Sequence, residues 1–123
     1  MLMEIDMKSA VPIYQQIRNQ VILGIASGKL EANESLPSVR QMADEIGINM
    51  MTVSKAYNTL KGEGYIITDR RNGTKVAEFP PATDVFIAEF SRSLELTLAE
   101  AAIHQLDDKQ IHDIVTQILQ NFN

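Results

Sequence analysis

The sequence has no cysteine and no tryptophan, and aromatic residues make up only 6% of its 123 residues. Without cysteine, a disulfide framework is excluded. No apolar run approaches the roughly 18 residues of a membrane span, and the N-terminus carries no basic-then-apolar secretory leader. With 45% hydrophobic and 22% charged residues, the composition is that of a globular protein. We therefore expect a cytoplasmic protein with no membrane partner.

Residues 35–76 carry two short amphipathic helical patterns around a glycine-containing turn. Ser38 and Gln41 have the spacing of a capping box, which predicts the start of the first helix. Gly47 suits a backbone with positive φ, and Asn49 can cap the helix that follows. The second pattern places Val53, Ala56, Tyr57 and Leu60 on its buried face.

A hairpin pattern, YIITDRRNGTKV, follows Gly64. Asn72-Gly73 is the dipeptide that best supplies the two positive φ values of a type I′ turn, so we predict a two-residue turn there. Arg70, Arg71 and Lys75 make the tip of this hairpin basic. Two helices followed by a basic hairpin predict a winged helix-turn-helix, which places one helix in the major groove of DNA.

Pro12 opens an earlier helical pattern, and Pro80-Pro81 breaks secondary structure after the hairpin. Residues 78–123 then form two one-sided helices, the second from about Asp107. Their apolar stripes include Phe86, Phe90, Leu94, Leu98, Ile111, Ile114 and Ile118. A 46-residue helical hairpin cannot enclose a sufficient core, so we predict a homodimer, the alternative being a tail packed on its own winged domain. The predicted fold is α+β and mainly α: a winged helix-turn-helix in residues 1–77, then a two-helix dimerisation hairpin in residues 78–123.

The segments PIYQQI, SGKLEANESLPSVRQMADEIGIN, TVSKAY, EGYI and GTKV occur in this order. In motifs and spacing the chain resembles the GntR family of bacterial transcription regulators, over about its first two-thirds. Its short helical tail is most similar to the YtrA-type subgroup. The resemblance implies that Arg40 matches a family position that contacts DNA, and that Thr52 matches a threonine of the family's recognition helix. It also implies that Gly73 matches the glycine at the tip of the hairpin, which is called the wing in this fold. Many members have Arg where this chain has Met50 and Ser54, and Gly where it has Arg71, so the operator sequence is expected to differ.

Several candidate contacts to double-stranded DNA have alternative roles. Arg40 can instead be a solvated helix charge or form a salt bridge to Asp44, and Asn49 can act as a helix cap, with or without a contact to DNA. Met50 and Met51 can contact a thymine methyl group or simply cover the helix corner. The full set of candidate DNA-binding residues is Arg40, Asn49, Met50, Met51, Thr52, Ser54, Lys55, Arg70, Arg71 and Gly73.

The net charge of −5 hides an asymmetry between the two predicted domains. Residues 1–77 contain nine Lys and Arg against eight Asp and Glu, whereas residues 78–123 contain two against eight. DNA affinity would then depend on a local basic face and would be sensitive to salt.

The sequence predicts a dimeric, sequence-specific transcription regulator that represses by occupying an inverted-repeat operator, and the resemblance implies control of transporter genes. The alternative is a protein-interaction module that keeps the winged fold without specific DNA binding. We predict neither an enzyme nor a cofactor, because no phosphate-cradling loop, activated nucleophile or metal-ligand spacing is recognisable. His104 and His112 fit no metal-ligand pattern, and a small-molecule effector stays unidentified.

Overall fold

A computed structural model describes residues 3–71 and 73–123. The chain divides into two compact units, Met1–Phe79 and Pro80–Asn123, which are described separately here. The first unit ends two residues later than the predicted boundary at Ala77. Phe79 contacts the Tyr65 ring, with ring centroids 5.9 Å apart, and the Asn33 amide donates a 2.7 Å hydrogen bond to Glu78. These contacts attach the connecting segment to the first unit.

The first unit contains three helices and a two-stranded hairpin. In chain order these are α1 (Ile13–Ala26), α2 (Val39–Ile46), α3 (Met50–Gly62), β1 (Ile66–Asp69) and β2 (Gly73–Val76). Helices α1 and α2 both pack against α3, and β1 pairs antiparallel with β2. This arrangement confirms the predicted winged helix-turn-helix fold, in which α3 is the central helix.

Apolar side chains from every element of the first unit meet in one core. Helix α1 contributes Ile17 and Val21, which are four residues apart and therefore lie on one helix face. The hairpin contributes one residue from each strand, Ile66 and Val76, which are directly opposite one another. The core cluster is Ile17, Val21, Leu30, Leu36, Met42, Ala43, Val53, Ala56, Tyr57, Leu60, Ile66 and Val76.

The free edge of β2 is paired by a segment that precedes α2. Ser35 forms an antiparallel bridge with Lys75, the Leu36 N–H donates to the Thr74 carbonyl at 2.8 Å, and the Val76 N–H donates to the Glu34 carbonyl at 2.9 Å. The wing is thus backed by a third extended segment, which the sequence pattern did not indicate. This pairing satisfies backbone groups of β2 that an isolated hairpin would leave to solvent.

The connection between β1 and β2 differs from the predicted turn. Asp69 is opposite Gly73 and Thr68 is opposite Thr74. A two-residue turn centred on Asn72-Gly73 would instead place Arg71 opposite Thr74, and this register prediction was wrong. Asn72 itself lies outside the described residues, but Gly73 does have a positive φ of 73°. The Asp69 carboxylate accepts a 2.8 Å hydrogen bond from the Arg71 N–H, which favours the longer loop because it stabilises a local Asx turn.

The second unit consists of α4 (Asp84–Ile103) and α5 (Asp108–Gln120). Each helix begins at a residue whose side chain accepts a backbone N–H three positions on: Thr83 from Phe86 and Asp107 from Gln110. The Gln110 side chain also bonds back to the Asp107 N–H, which completes a capping box. Helix α4 ends at a turn in which Gln105 has a φ of 65° and the Leu106 N–H donates to the Ala101 carbonyl.

The predicted dimerisation residues lie on these two helices and are largely exposed. Phe86 and Phe90 are 55% and 56% exposed, and only Ile111 of the set is half-buried. Along the described lengths of α4 and α5, no side chain is buried. The apolar stripes therefore have no covering layer within the unit. None of the helices in the described part of the chain is both long and apolar enough to cross a membrane.

Candidate DNA-binding surface

The corner between α2 and α3 is held by three local devices. Ser38 accepts the Gln41 N–H at 3.1 Å while the Gln41 side chain accepts the Ser38 N–H at 2.9 Å. Gly47 ends α2 in the left-handed conformation with a φ of 67°, where a side chain would add strain. The side-chain oxygen of Asn49 (Oδ1) then accepts a 2.6 Å hydrogen bond from the Met51 N–H. Together they fix where α3 begins, as the sequence predicted.

Helix α3 has one buried and one solvent-facing side. Val53, Ala56, Tyr57 and Leu60 are each at most 1% exposed. Met51, Lys55 and Asn58 recur at i, i+4 and i+7 on the opposite side and are exposed. They line a shallow depression together with Ser54 and Thr59. This side of α3 can approach a ligand without disturbing the core.

The two methionines at the start of α3 differ in exposure. Met51 is 80% exposed, whereas Met50 is 46% exposed and thus more than half covered. Their neighbour Thr52 is half-buried, as is Ser54 on the following turn. The first turn of α3 therefore presents thioether side chains to solvent beside shorter hydroxyl groups.

Lys55 is held by an aromatic ring of another helix. Its Nζ atom lies 4.1 Å from the centroid of the Tyr14 ring in α1, which is the geometry of a cation–π interaction. The backbone carbonyl of Lys55 also accepts the Thr59 hydroxyl at 2.8 Å. The sequence pattern did not reveal the role of Tyr14, because the two residues are 41 positions apart and meet only through the packing of α1 on α3.

Arg40 occupies the second position of α2 and is exposed. Arg40 and Asp44 are both described, and no ion pair joins them. The guanidinium is a planar donor fork that suits a phosphate or a guanine edge. Helix α2 packs on α3, which places Arg40 on the neighbour of the solvent-facing helix.

The basic residues of the hairpin differ in position and exposure. Arg70 and Arg71 are exposed in the loop, whereas Lys75 lies within β2 and is half-buried. Gly73 is exposed and begins β2 with positive φ. The loop is the part of the hairpin that projects beyond the paired strands. Its two arginines therefore form the accessible basic tip.

Two contacts that carry no ligand-binding role stabilise this surface from behind. The Tyr57 hydroxyl donates a 2.6 Å hydrogen bond to the Pro37 carbonyl, and burial together with the charge of Glu45 raises the pKa of Tyr57 to about 12. The Arg18 guanidinium in α1 bonds both carboxylate oxygens of Glu63 at 2.9 and 2.7 Å. This hydrogen bonding lowers the pKa of Glu63 and raises that of Arg18. The first contact ties the middle of α3 to the segment before α2, and the second ties the C-terminal end of α3 to α1.

The described residues contain no group of three or more His, Cys, Asp or Glu side chains placed to hold a metal ion. His104 is at the end of α4, and His112 is in the exposed first half of α5. The chemical groups that the first unit does present are cationic, hydroxyl, amide and thioether side chains around one helix and one hairpin. Side chains of these types make most of the contacts to phosphates and bases in protein–DNA complexes.

A three-helix unit with a solvent-facing third helix and a basic hairpin defines the winged helix-turn-helix class of DNA-binding proteins. The family model described as "Bacterial regulatory proteins, gntR family" matches residues 13–76, which run from the first residue of α1 to the last of β2. The chain belongs to the GntR family.

Full-length relatives support a more specific classification. The chain is 33% identical over 119 residues to the HTH-type transcriptional repressor YtrA of Bacillus subtilis, covering 95% of this chain and 92% of that protein. A YtrA structure from Sulfolobus acidocaldarius, described as a GntR-family transcription factor, is 31% identical with a TM-score of 0.61 and covers 96% of this chain and 97% of that one. The protein is a DNA-binding transcription regulator of the YtrA type.

A further solved structure, described as a transcriptional antiterminator from Listeria monocytogenes EGD-e, has a TM-score of 0.89 and 30% sequence identity. It covers 99% of this chain and 92% of its own. The similarity therefore includes α4 and α5 as well as the winged unit. The proteins matched over this length are described as a transcriptional repressor and a transcriptional antiterminator.

Proposed function

We propose that the protein is a homodimeric repressor that binds an inverted-repeat operator and blocks transcription by occupying it. The observation that carries this proposal is the solvent-facing side of α3, where Met51, Lys55 and Asn58 are exposed opposite the core, in a unit whose hairpin also has an exposed basic loop. A helix of this kind fits the major groove, which is wide enough to admit one. The name of the B. subtilis relative supports repression over activation.

Each candidate residue has a role in this proposal that follows from its side chain. Arg40 fixes the register of the complex through a phosphate or a guanine edge, and Asn49 holds the start of α3. The loop of the wing, with Arg70, Arg71 and Gly73, contacts phosphates or the narrow minor groove beside the helix. The first two turns of α3 supply the remaining contacts, namely Met50, Met51, Thr52, Ser54 and Lys55.

The charge distribution also supports DNA binding by the first unit and not by the tail. The winged unit has a small positive excess while the tail is strongly acidic, so phosphate attraction is confined to the first unit. Affinity should fall as salt rises, with a log–log slope of about −0.9 for each phosphate neutralised, so the slope counts the cations that contact DNA. Base contacts must then supply a substantial share of the specificity.

Dimerisation is proposed to occur through α4 and α5. Their exposed apolar residues are spaced at one helix face, and burial of each large side chain in an interface is worth roughly 1.5–3 kcal/mol. The proposed interface consists of Phe86, Phe90, Leu94, Leu98, Ile111, Ile114 and Ile118. A two-fold axis through such a dimer requires two half-sites in inverted orientation. A DNA partner also implies a cytoplasmic location. The resemblance to the YtrA-type subgroup supports the proposal that the regulated genes encode transporters.

The experiment that tests the function is selection of binding sites from random duplex DNA with the purified protein. Affinity for the best site and for a scrambled duplex is then measured across a series of salt concentrations. We expect an inverted repeat that binds at least about 10³-fold more tightly than the scrambled control. Equal and weak affinity for both duplexes would contradict the proposal and favour a protein-interaction module.

Oligomeric state is tested separately by sedimentation equilibrium at micromolar concentration. A species of twice the 13.7 kDa chain mass is expected without DNA. Phe90→Glu should shift the population to monomer, because a charge would replace an apolar ring at the proposed interface. Glu89→Gln, at an adjacent exposed position of α4, is the matched control and should leave the dimer intact. A wild-type protein that sediments only as a monomer, with and without operator, would refute dimerisation.

A further inference from the structure

Met51 is the apolar member of an otherwise polar surface. The side chains that share its depression are Ser54, Lys55, Asn58 and Thr59, all of which carry hydrogen-bonding groups. Met51 itself is 80% exposed and lies on the side of α3 opposite Val53 and Leu60. Packing within the first unit therefore does not account for an apolar residue at this position.

The backbone of Met51 is nevertheless fixed. Its N–H donates to the Asn49 side chain at 2.6 Å, and the N–H groups of Thr52 and Val53 both donate to the Asn49 backbone carbonyl. A long, unbranched side chain thus projects from a rigid helix start. The same hydrogen bond uses one of the two acceptor positions of the Asn49 side-chain oxygen.

The major-groove edges of the four base pairs differ in donors and acceptors, and thymine alone among the unmodified bases adds a methyl group there. A thioether cannot read the hydrogen-bond pattern, but it can pack on a methyl group and remove both from water. We propose that Met51 is a specificity-determining residue that reads the C5-methyl group of one thymine in each half-site. This assignment rests on the proposed entry of α3 into the major groove.

The test replaces each thymine of the selected operator by uracil, one position per half-site at a time. This substitution deletes the methyl group and keeps every hydrogen-bonding atom of the base edge. At the thymine that Met51 contacts, we expect affinity to fall about fourfold per half-site, the effect of exposing one methyl-sized group. At other thymines no comparable change is expected.

Protein variants assign the effect to its residue. With Met51→Ala the thymine and uracil duplexes should bind equally, whereas Met51→Leu should retain most of the discrimination because it keeps an apolar chain of similar reach. Leu23→Ala, at an exposed apolar position of α1, is the control and should leave the fourfold ratio unchanged. Because Met51 is exposed, all three proteins should fold, which circular dichroism checks directly.

Three results would overturn the assignment: no thymine sensitive to uracil, a ratio that survives in Met51→Ala, or a ratio that is lost in Met50→Ala instead. Each of these presupposes specific binding to the selected duplex, so the proposed function would stand while the role of Met51 fell. Failure to select any duplex over the scrambled control would overturn the function and this assignment together. The two failures are therefore distinguishable.

Discussion

The contact between Lys55 and Tyr14 predicts a measurable coupling energy within the winged unit. Lys55 Nζ lies 4.1 Å from the ring centroid, well within the roughly 6 Å limit for such pairs. Lys55 is exposed and the Tyr14 ring is half-buried, so the ammonium stays partly hydrated. For this degree of exposure a cation–π interaction is worth about 0.5–1 kcal/mol.

A double-mutant cycle isolates this energy from the packing that Tyr14 also provides. The cycle uses the wild type, Tyr14→Leu, Lys55→Met and the double variant, and each free energy of unfolding is measured in urea at one protein concentration. The expected coupling is about 0.5–1 kcal/mol in favour of the wild-type pair. Tyr14→Phe is the matched control, because it keeps the aromatic face and should retain the coupling.

DNA binding supplies an independent readout of the same pair. Lys55→Met removes a cation and should lower the magnitude of the salt slope by about 1 if Lys55 contacts a phosphate. Tyr14→Leu leaves the charge in place and should change affinity without changing the slope. A coupling indistinguishable from zero in the unfolding cycle would refute the reasoning, because the ring would then not be what holds Lys55.

Three further predictions concern other parts of the chain. Arg40→Ala should cost about 1–3 kcal/mol of specific operator binding if its guanidinium makes a bidentate base contact. Lys29→Ala, which removes a cation outside the candidate surface, is the control and should have little effect. Unchanged operator affinity of the Arg40 variant in a titration would contradict the proposed role of Arg40. Because Arg18 lowers the pKa of Glu63 from its ordinary 4.5, the ion pair should stabilise the fold above that pH and lose its effect as the pH falls through the lowered pKa. Since Glu63 is 37% exposed, Glu63→Gln should cost less than about 1 kcal/mol at neutral pH, and a difference from wild type that persists unchanged in acid would argue against the pair. Gln105→Gly should stabilise the tail by about 1 kcal/mol, because φ is 65° at this residue and glycine adopts positive φ without strain. Gln117→Gly within α5 is the control and should destabilise the tail by a similar amount. The measurement is thermal unfolding at fixed protein concentration, and a Gln105→Gly protein that is less stable than wild type would contradict the strain.

The features that the sequence predicted well are those that depend on residues a few positions apart. Ser38 with Gln41, Gly47, and Asn49 all act as expected, since a cap or a left-handed turn is settled within one helical turn. Asp107 begins α5 at the predicted residue for the same reason. Helical periodicity likewise identified the buried side of α3, because burial on a packed helix follows its own geometry.

The features that the sequence did not predict depend on distant pairing. The bridge between Ser35 and Lys75 joins residues 40 positions apart, and it gives the wing a third extended segment. The connection after β1 depends on which residues pair across the hairpin, and the dipeptide Asn72-Gly73 alone gave the wrong register. Neither the Tyr14–Lys55 contact nor the Arg18–Glu63 ion pair has a local signal, because α1 meets α3 only in the folded unit.

The same distinction explains why the residues that contact bases are harder to predict from sequence than the residues that position α3. Helix α3 is positioned by its buried side, by the Asn49 cap and by the bond from Tyr57 to Pro37. None of these residues needs to change when the operator changes. Met51 is 80% exposed, so substitution there should alter the DNA sequence that is bound and change the folding stability by no more than about 0.5 kcal/mol. Tyr57→Phe should have the reverse effect, because it removes a buried hydrogen bond worth about 1 kcal/mol and leaves the solvent-facing side chains in place.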